Sequence, residues 1–318
     1  MPGTGQQPIL TLTLNPALDM ATGVSRLIPG EKLRCDEPLL DPGGGGLNVS
    51  RAVRALGGES LALVALGGLT GDRLAGLIRT EGLAFLAIHG PGETRQSLSV
   101  REDATGLQYR FMLPGPAWQA EDRARVFPLL RATARPGGYA VISGSQPPGV
   151  PVDFPAELAA SMPDSKVVLD TSGPALSQAV ARPIPGLQVL RMDGAEAEAL
   201  AGRPLRSRAE TADFAQGLVR EGVAQMVVVA RGAEGNLLAD AGQRLFATAP
   251  AVPVVSTVGA GDSFVAAFVL ALARGQSRAE ALRQGSAAAA AAVMTDATQL
   301  CRREDAERLL PEAILSPV

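Results

Sequence analysis

Short apolar runs alternate with helix-like segments along most of the chain. The runs have the length of strands and lie at residues 9–14, 61–66, 139–142, 166–170, 188–190 and 225–230. Helical periodicity marks residues 47–56 and 72–81, helical segments separate most of the later runs, and the alanine-rich stretch 287–292 indicates a helix packed closely against a neighbour. Short apolar strands separated by helices are typical of a parallel sheet covered on both faces. The pattern predicts an α/β layered fold with a mostly parallel central sheet.

Two segments interrupt this rhythm. Residues 17–40 contain Gly, Pro and mixed charge, and residues 94–113 alternate polar and apolar positions around a turn at 103–106. Such alternation is typical of an antiparallel hairpin with one exposed face. We interpret the two segments as a small β-sheet appended to a single domain of residues 1–318. Because an appended sheet has open edges and an apolar face, we expect it to cover a ligand as a lid and to form a homodimer contact.

Composition and charge exclude several classes of protein. Apolar residues make up 46% of the 318 residues and charged residues 19%, which is typical of a globular protein. The net charge of −3 gives no electrostatic reason to expect a nucleic-acid partner or an anionic membrane. Two cysteines and one histidine are too few for a disulfide framework or a multi-histidine metal site. No signal segment or bilayer-length apolar run is present in the sequence, so we expect a cytoplasmic protein.

A run of four glycines, residues 43–46, precedes a helix that carries Asn48 and Arg51. Consecutive glycines let backbone N–H groups approach a ligand with no Cβ in the way. The run matches neither the dinucleotide-binding pattern GxGxxG nor the P-loop pattern GxxxxGK[ST]. Taken alone, it is equally consistent with a flexible turn.

A second glycine-rich turn, "VGAGD" at residues 258–262, leads into an apolar run. If a helix starts near Gly261, its first N–H groups are unpaired and its dipole adds positive charge, which suits the charge on a transferring phosphoryl group. Asp262 then either caps the helix or accepts a proton from an attacking hydroxyl. The residues themselves leave both alternatives open.

Several stretches together resemble the ribokinase-like, PfkB-type sugar kinases. They include "TLTLNPALD", "DPGGGGLNVSRA", "TRQSLSV", "QYRFMLPGP", "ISGSQPPGV", "VLDTSGPAL" and "STVGAGDSFVAAF". The resemblance covers nearly the whole chain, and "EKLRC" together with "PGGGGLNV" is most similar to the minor-type ATP-dependent 6-phosphofructokinases of that family. It implies a three-layer α/β/α fold with a β-sheet lid, and phosphoryl transfer from MgATP to the C1 hydroxyl of fructose 6-phosphate.

Other acceptors and one non-enzymatic function stay open. Tagatose 6-phosphate, fructose 1-phosphate or an unphosphorylated sugar would suit the same family. A non-catalytic relative that binds a sugar phosphate beside a degraded ATP site is the alternative from a different class.

The resemblance also implies roles for individual residues. For catalysis it indicates Asp262 as the base, and Gly259, Ala260 and Gly261 as the anion hole. For the sugar phosphate it indicates Asp19, Lys32, Arg34, Gly44, Gly45, Asn48, Arg95 and Ser145. For the nucleotide it indicates Arg191, Asp193, Ala230, Gly232, Gly235, Ser256 and Val258, with Glu196 and Asp193 organising the Mg²⁺ of MgATP, and K⁺ as a second ion.

The nucleotide side departs from the family's usual residues. Arg191, Met192 and Asp193 stand where Lys-Pro-Asn is usual, and Ala230 stands where a serine is frequent. Near the monovalent-cation site, Thr295 and Ala297 replace the usual Asn and Gly. The sugar side and Asp262 keep the family's residues.

Overall fold

The structure is a computed structural model that describes residues 5–296 and 298–318. Numbered in chain order, its strands are β1 (Ile9–Thr13), β2 (Ala17–Val24), β3 (Leu39–Gly43), β4 (Leu61–Leu66), β5 (Phe85–His89), β6 (Arg95–Glu102), β7 (Gln108–Met112), β8 (Tyr139–Ser143), β9 (Lys166–Asp170), β10 (Val189–Asp193), β11 (Met226–Ala230), β12 (Gly235–Asp240), β13 (Arg244–Thr248) and β14 (Leu315–Pro317). Its helices are α1 (Gly45–Ala55), α2 (Gly68–Thr80), α3 (Ala120–Ala124), α4 (Val126–Thr133), α5 (Phe154–Ala160), α6 (Gly173–Ala181), α7 (Gly194–Ala201), α8 (Arg208–Arg220), α9 (Ala260–Ala273), α10 (Arg278–Ala292) and α11 (Arg303–Leu309).

The central sheet is mostly parallel, as the apolar runs predict. Its strand order is β14-β13-β12-β11-β10-β9-β8-β1-β4-β5. Every pair from β11 to β5 is parallel, and β12, β13 and β14 extend the sheet as antiparallel strands. Parallel strands place their carboxyl ends at one edge, and ligands of open α/β sheets bind outside that edge.

Helices cover both faces of this sheet. In β1, Ile9 packs into the layer formed with α1, α9 and α10, whereas Leu10 and Leu12 pack into the layer formed with α5, α6 and α8. Successive side chains of a strand point to opposite faces, so a wholly apolar strand supplies both layers. The three-layer α/β/α arrangement is confirmed.

The most apolar layer is the contact between α9 and α10. The alanine-rich stretch lies in α10, and its small side chains let that helix approach α9 closely. At Gly285 the approach is closest, since a Cβ there would lie 2.6 Å from the ring of Phe264. Although α9 is apolar along its length, no helix within residues 5–296 and 298–318 is long and apolar enough to cross a membrane.

A second, four-stranded sheet has the order β3-β2-β6-β7. The hairpin predicted over residues 94–113 is present as β6 and β7, and its turn is closed by the N–H of Gly106, which donates to the carbonyl of Glu102 at 2.8 Å. The sheet is mixed, because β2 and β6 run parallel to each other. Its first segment continues past residue 40, since β3 ends at Gly43 and leads directly into α1.

Several element boundaries differ from the predicted ones, among them the start of α2 and the end of β10. Helix α2 starts at Gly68 rather than at residue 72, because the carboxylate of Glu93 accepts hydrogen bonds from the N–H groups of Leu69 (3.1 Å) and Thr70 (2.9 Å). Strand β10 continues beyond the apolar run to Asp193. The extension of α2 depends on a polar side chain that lies outside the helix, which hydrophobic periodicity does not register.

The α9–α10 contact gives a stability prediction. Gly285→Ala should lower the free energy of unfolding by about 1–3 kcal/mol, because the added methyl overlaps the ring of Phe264 in a packed core. The matched control is Gly217→Ala in the interior of α8, where a Cβ would meet nothing within 4 Å. That change should raise the free energy of unfolding by up to about 1 kcal/mol through helix propensity. Urea unfolding of both variants measures the two effects, and equal signs would contradict this description of the contact.

Candidate active site

Polar and charged side chains converge where the parallel strands end. Asn15 follows β1, Ser145 follows β8, Asp170 ends β9 and Arg191 lies near the end of β10. The first turn of α9 reaches the same edge and brings Asp262 to it. The edge of the sheet therefore collects residues that are up to 247 positions apart in the chain.

The carboxylate of Asp262 is bound by α1. Its Oδ2 accepts a hydrogen bond from Nδ2 of Asn48 at 2.9 Å. The N-cap position of α9 belongs to Gly259, whose φ of 74° is in the left-handed region that favours glycine. Capping of α9 therefore does not account for this aspartate, and the hydrogen bond to Asn48 does account for its orientation.

Burial raises the pKa of Asp262 to about 6. The negative charges of Asp170 and Asp19 also contribute to this raised pKa, whereas the Asn48 hydrogen bond and the positive charge of Arg191 oppose it. A carboxyl group with this pKa is mostly ionised at neutral pH and still basic enough to accept a proton.

Arg191 pairs with Asp170 in the floor of the site. Its Nη1 lies 3.1 Å from Oδ1 of Asp170, and the two side chains are only 15% and 12% exposed. Ser143 donates to the other carboxylate oxygen at 3.1 Å. Burial by itself lowers the pKa of Arg191, but the attraction and hydrogen bond of Asp170, together with the charges of Asp262 and Glu196, outweigh it, and the pKa is raised. Asp170 was not among the predicted site residues, although its place at the end of an apolar strand was a usable signal.

The guanidinium of Arg191 lies against the start of α9. A Cβ at Gly261 would be 3.0 Å from its Nη2, so a larger residue would push the guanidinium back. The first N–H groups of a helix have no partner within the helix. Together with the helix dipole and the cation of Arg191, they make the first turn of α9 a positively polarised surface.

Asp19 and Arg95 face each other on the second sheet. Burial raises the pKa of Asp19 to about 6, while the positive charge of Arg95 is the main opposing influence and a hydrogen bond with Ser97 adds to it. Nε of Arg95 donates to the carbonyl of Asn15 at 3.2 Å, and Nδ2 of Asn15 donates to Oγ of Ser145 at 3.1 Å. Asn15, which the sequence interpretation missed, thus joins two of the predicted residues.

Lys32 and Arg34 lie exposed in the connection between β2 and β3. The positive charges that act on Asp19 come from Arg95, Arg51 and Arg110. Arg110, on β7, is a second residue that was missed, although it lies in one of the stretches that carry the resemblance. Within this one chain, the structure brings Arg95 close to the carboxylate of Asp19 but does not bring Lys32 or Arg34 close to it.

The glycine run 43–46 is a packed hinge between β3 and α1. Gly44 has a φ of 119°, which other residues rarely adopt. A Cβ at Gly45 would lie 2.6 Å from the backbone nitrogen of Gly144, and one at Gly46 would lie 2.5 Å from the carbonyl oxygen of Leu12. Close backbone packing against the ends of β1 and β8 explains these glycines better than a flexible turn does.

On the nucleotide side, Asp193 and Glu196 form a reciprocal capping box at the start of α7. The N–H of Asp193 donates to Oε2 of Glu196, and the N–H of Glu196 donates to Oδ1 of Asp193, both at 2.8 Å. Burial raises the pKa of Glu196, and the carboxylates of Asp193 and Asp170 also raise it. Each side chain keeps one oxygen outside this box.

The remaining predicted nucleotide residues lie in two connections of the chain. Ala230, Gly232 and Gly235 occupy the turn between β11 and β12, where Gly232 (φ 56°) and Gly235 (φ 132°) have glycine-favouring backbones. Ser256 and Val258 precede α9, and Oγ of Ser256 accepts from the N–H of Val258 at 3.2 Å.

Thr295 lies beside the connection that leads into α9. Its hydroxyl bonds to the carbonyls of Ala292 (2.8 Å) and Gln299 (3.1 Å), and the N–H of Val255 donates to the carbonyl of Val293 at 2.7 Å. Ala297, the other predicted departure near the cation site, lies outside the described residues. Thr295 therefore has a structural role in tying the end of α10 to the segment after it.

Comparisons with known proteins agree with this geometry. Residues 14–305 match the profile of the pfkB family of carbohydrate kinases. An ATP-dependent 6-phosphofructokinase isozyme 2 of Mycobacterium tuberculosis is 40% identical over 307 residues, which cover 96% of this chain and 89% of the relative. The isozyme 2 of Escherichia coli is 39% identical, covering 95% of this chain and 97% of that protein. The crystal structure of phosphofructokinase-2 from E. coli in complex with fructose-6-phosphate has a TM-score of 0.90 and 36% identity, covering 96% of this chain and 99% of that one.

The fold and the polar edge of the sheet define a kinase of the ribokinase-like class. The chain belongs to the pfkB family of carbohydrate kinases. The expected family is confirmed, and so is the expected fold.

Proposed function

We propose that the chain transfers the γ-phosphoryl group of ATP to the C1 hydroxyl of fructose 6-phosphate, which gives fructose 1,6-bisphosphate and ADP. Relatives that are 39–40% identical over nearly the whole chain bear the name 6-phosphofructokinase, and the E. coli relative has been solved with fructose-6-phosphate. The observation that carries the proposal is the position of Asp262. Asp262 has a raised pKa and lies in the first turn of α9, directly after a glycine-rich turn. It is also close enough to Asp19 for their charges to interact.

In the proposed reaction, the C1 oxygen attacks the γ-phosphorus, and a new C–O–P linkage forms as the bond between that phosphorus and the bridging oxygen of ADP breaks. Asp262 accepts the proton of the hydroxyl, since its carboxylate is ionised at neutral pH but weakly basic. Asn48 holds the carboxylate in place through the 2.9 Å hydrogen bond. The transition state of phosphoryl transfer is loose, so positioning and charge stabilisation supply most of the rate.

The first turn of α9 and Arg191 would stabilise the charge on the transferring group. The unpaired N–H groups at Ala260 and Gly261 supply donors that do not need to reorganise. Within residues 5–296 and 298–318, the buried Nε of Arg191 has no hydrogen-bond partner, so a donor remains for a phosphate oxygen. This supports the predicted assignment of Arg191 to the nucleotide side.

On the sugar side, Asp19 would accept hydrogen bonds from sugar hydroxyls, and Arg95 would hold the 6-phosphate. A guanidinium offers a planar pair of donors to a phosphate. Arg110 is a further cation on this side, since its charge already acts on Asp19. Gly44, Gly45 and Ser145 line the adjoining backbone turns, and their contact with the sugar stays a prediction.

The residues near Glu196 suit a Mg²⁺ ion that arrives with ATP. Among the described residues, no group of three or more acidic, histidine or cysteine side chains could enclose a metal. Mg²⁺ often keeps several waters and uses one or two carboxylates together with substrate phosphates. The free oxygens of Glu196 and Asp193, and the raised pKa of Glu196, fit such a partial site. When bound, Mg²⁺ would neutralise phosphate charge during transfer.

We also propose K⁺ as a second ion, bound between the segment before α9 and the segment after α10. The E. coli relative has been solved in complex with potassium. In this chain the two segments are joined by the N–H groups of Val255 and Ser256, which donate to the carbonyl of Val293. Backbone carbonyls can bind a monovalent cation whatever the side chains are, so Thr295 does not exclude it.

The second sheet would act as the lid and as a dimer contact. All five residues of β7 are exposed, and Phe111 and Met112 are each at least 50% exposed. Leu39, on the opposite edge of the same sheet, is 60% exposed. These exposed apolar side chains lie on both faces of the sheet, because Phe111 and Met112 are consecutive in β7. Exposed apolar surface marks an interaction site, and a second copy of the chain would cover it. Lys32 and Arg34, which are remote from Asp19 in their own chain, would then reach the ligand only in the assembled protein.

The base assignment predicts the effect of Asp262→Asn. The amide has nearly the same shape but cannot accept the proton, so kcat should fall by about 10²–10⁴-fold while affinity for both substrates is roughly kept. The measurement is kcat under saturating MgATP and fructose 6-phosphate, with melting temperature as a check on folding.

The matched control is Asp213→Asn, a carboxylate that is 69% exposed on α8 and should leave kcat unchanged. An unchanged kcat in Asp262→Asn would contradict the base assignment. A wild-type protein that turns over none of a panel of sugars and sugar phosphates would favour the non-catalytic alternative.

Arg95→Ala tests the acceptor. The apparent affinity for fructose 6-phosphate should weaken by about tenfold to several-hundredfold, because a charge-assisted hydrogen bond contributes about 1.5–3 kcal/mol. The KM for ATP should barely change. Arg101→Ala, on the same strand but 61% exposed, is the control. Equal weakening for both substrates would remove Arg95 from the sugar-phosphate site, and a wild-type preference for unphosphorylated fructose would overturn the acceptor class.

The dimer proposal predicts that Phe111→Glu gives a monomer at micromolar concentration, since a buried unpaired charge would oppose association. Leu69→Glu is the control, because Leu69 is 81% exposed on α2 and lies outside the lid. Light scattering should show a dimer for wild type and for the control. A monomeric wild type, or a Phe111→Glu variant that still dimerises, would argue against assembly through this face.

A further inference from the structure

Arg51 forms hydrogen bonds with several separate segments around the site, although no role has been assigned to it above. It lies on α1, one turn after Asn48, and its side chain is only 11% exposed. The carboxylate of Glu81, at the end of α2, binds it twice: Oε2 lies 2.9 Å from Nε, and Oε1 lies 2.8 Å from Nη2. This pair by itself would be a clamp between two helices.

The other donors of Arg51 reach the strand that leads from the lid into α1. Nη1 donates to the carbonyl of Pro42 at 3.0 Å, and Nη2 lies 3.3 Å from the carboxylate of Asp41. Both residues belong to β3 and immediately precede the glycine hinge. The hydroxyl of Thr298 bonds to the same carboxylate, so the segment after α10 is tied to β3 as well.

Arg51 also contacts the amide that holds the base. Its Nη1 donates to Oδ1 of Asn48 at 3.4 Å, while Nδ2 of Asn48 donates to Asp262. An asparagine amide has an acceptor at one end and donors at the other. A cation at the oxygen end therefore fixes which end faces Asp262, and the reversed amide would place its oxygen against a carboxylate.

We propose that Arg51 is a positioning residue that couples the seating of the lid strand β3 to the orientation of the Asn48 amide, and through it to Asp262. The inference rests on the proposed function, because it assigns Asp262 as the base. A single guanidinium binds β3 and the amide at once, so displacement of β3 would loosen both. The same cation lies near Asp19 and lowers its pKa, so it influences the sugar side too.

The kinetic test compares Arg51→Met with Arg54→Met, which removes an exposed arginine from the same helix. Arg51→Met should lower kcat by about 10- to 100-fold, the size expected when a catalytic group is displaced by up to an ångström. Arg54→Met should leave kcat unchanged. Arg51→Lys should recover only part of the rate, because an ammonium cannot reproduce the planar fork.

A merely structural role makes a different prediction. Glu81→Gln weakens the helix clamp and should lower the melting temperature, yet it leaves the Pro42 and Asn48 contacts in place. Coupling predicts a kcat within about threefold of wild type for Glu81→Gln. It also predicts that Arg51→Met has a similarly small effect in a protein that already carries Asn48→Ala, because the contact through which Arg51 acts is then absent. A kcat loss in Glu81→Gln as large as that in Arg51→Met, or additive losses in the double variant, would overturn the proposal.

Hydrogen exchange on the ligand-free protein separates this inference from the proposed function. Arg51→Met should speed exchange in β3 and around residue 298 more than Glu81→Gln does, whatever sugar the protein uses. If the variants show this exchange pattern but the wild type does not phosphorylate fructose 6-phosphate, the proposed acceptor is wrong and the proposed coupling between β3 and α1 is still supported. Unchanged exchange in β3 would overturn the coupling even in a protein that is active on fructose 6-phosphate.

Discussion

The ion pair between Arg191 and Asp170 is the interaction on which the site depends. It places a cation in the floor of a cleft that also buries Asp262 and, across it, Asp19. Without that cation, three carboxylates would share one poorly solvated space, and removing one partner of a nearly buried pair costs about 3–5 kcal/mol. The pair also brings a guanidinium to the first turn of α9, where the glycine at position 261 leaves room for its close approach. Arg191 balances charge within the fold, and in the proposed reaction it would also stabilise the charge of the phosphoryl group.

Near this pair, the two sheets of the protein are joined by the tightly packed glycine run 43–46. The glycines of the run 43–46 pack against the ends of β1 and β8, so the four-stranded sheet is joined to the layered domain by backbone contacts with little free space. Arg51 adds side-chain contacts across the same hinge. In the proposed function, residues at the attachment of the second sheet would orient the base as that sheet covers the sugar site, which would limit the waste of ATP on water.

Much of the fold could be predicted from the sequence, because wholly apolar strands and alternating hairpins report burial directly. The layered sheet, the hairpin over residues 94–113 and the helix at 287–292 are confirmed on that basis. Hydrophobic pattern did not reveal the early start of α2, which depends on Glu93, or the parallel pairing of β2 with β6. The site residues that were missed, Asn15, Asp170 and Arg110, act through contacts between distant segments. Local sequence carries no record of such contacts, so resemblance indicated the stretches but not which of their side chains meet.

The most direct test of the account is the pH dependence of kcat under saturating MgATP and fructose 6-phosphate. Burial raises the pKa of Asp262 to about 6 in the ligand-free chain, so the proposed base is charged at neutral pH and becomes protonated as the pH falls. The kcat should therefore fall on the acid side of neutral. Asp19 has a similar pKa, and the phosphate of the substrate titrates nearby. The account predicts that the acid limb disappears from the residual rate of Asp262→Asn and persists in Asp19→Asn. An acid limb that survives unchanged in Asp262→Asn would show that another group accepts the proton.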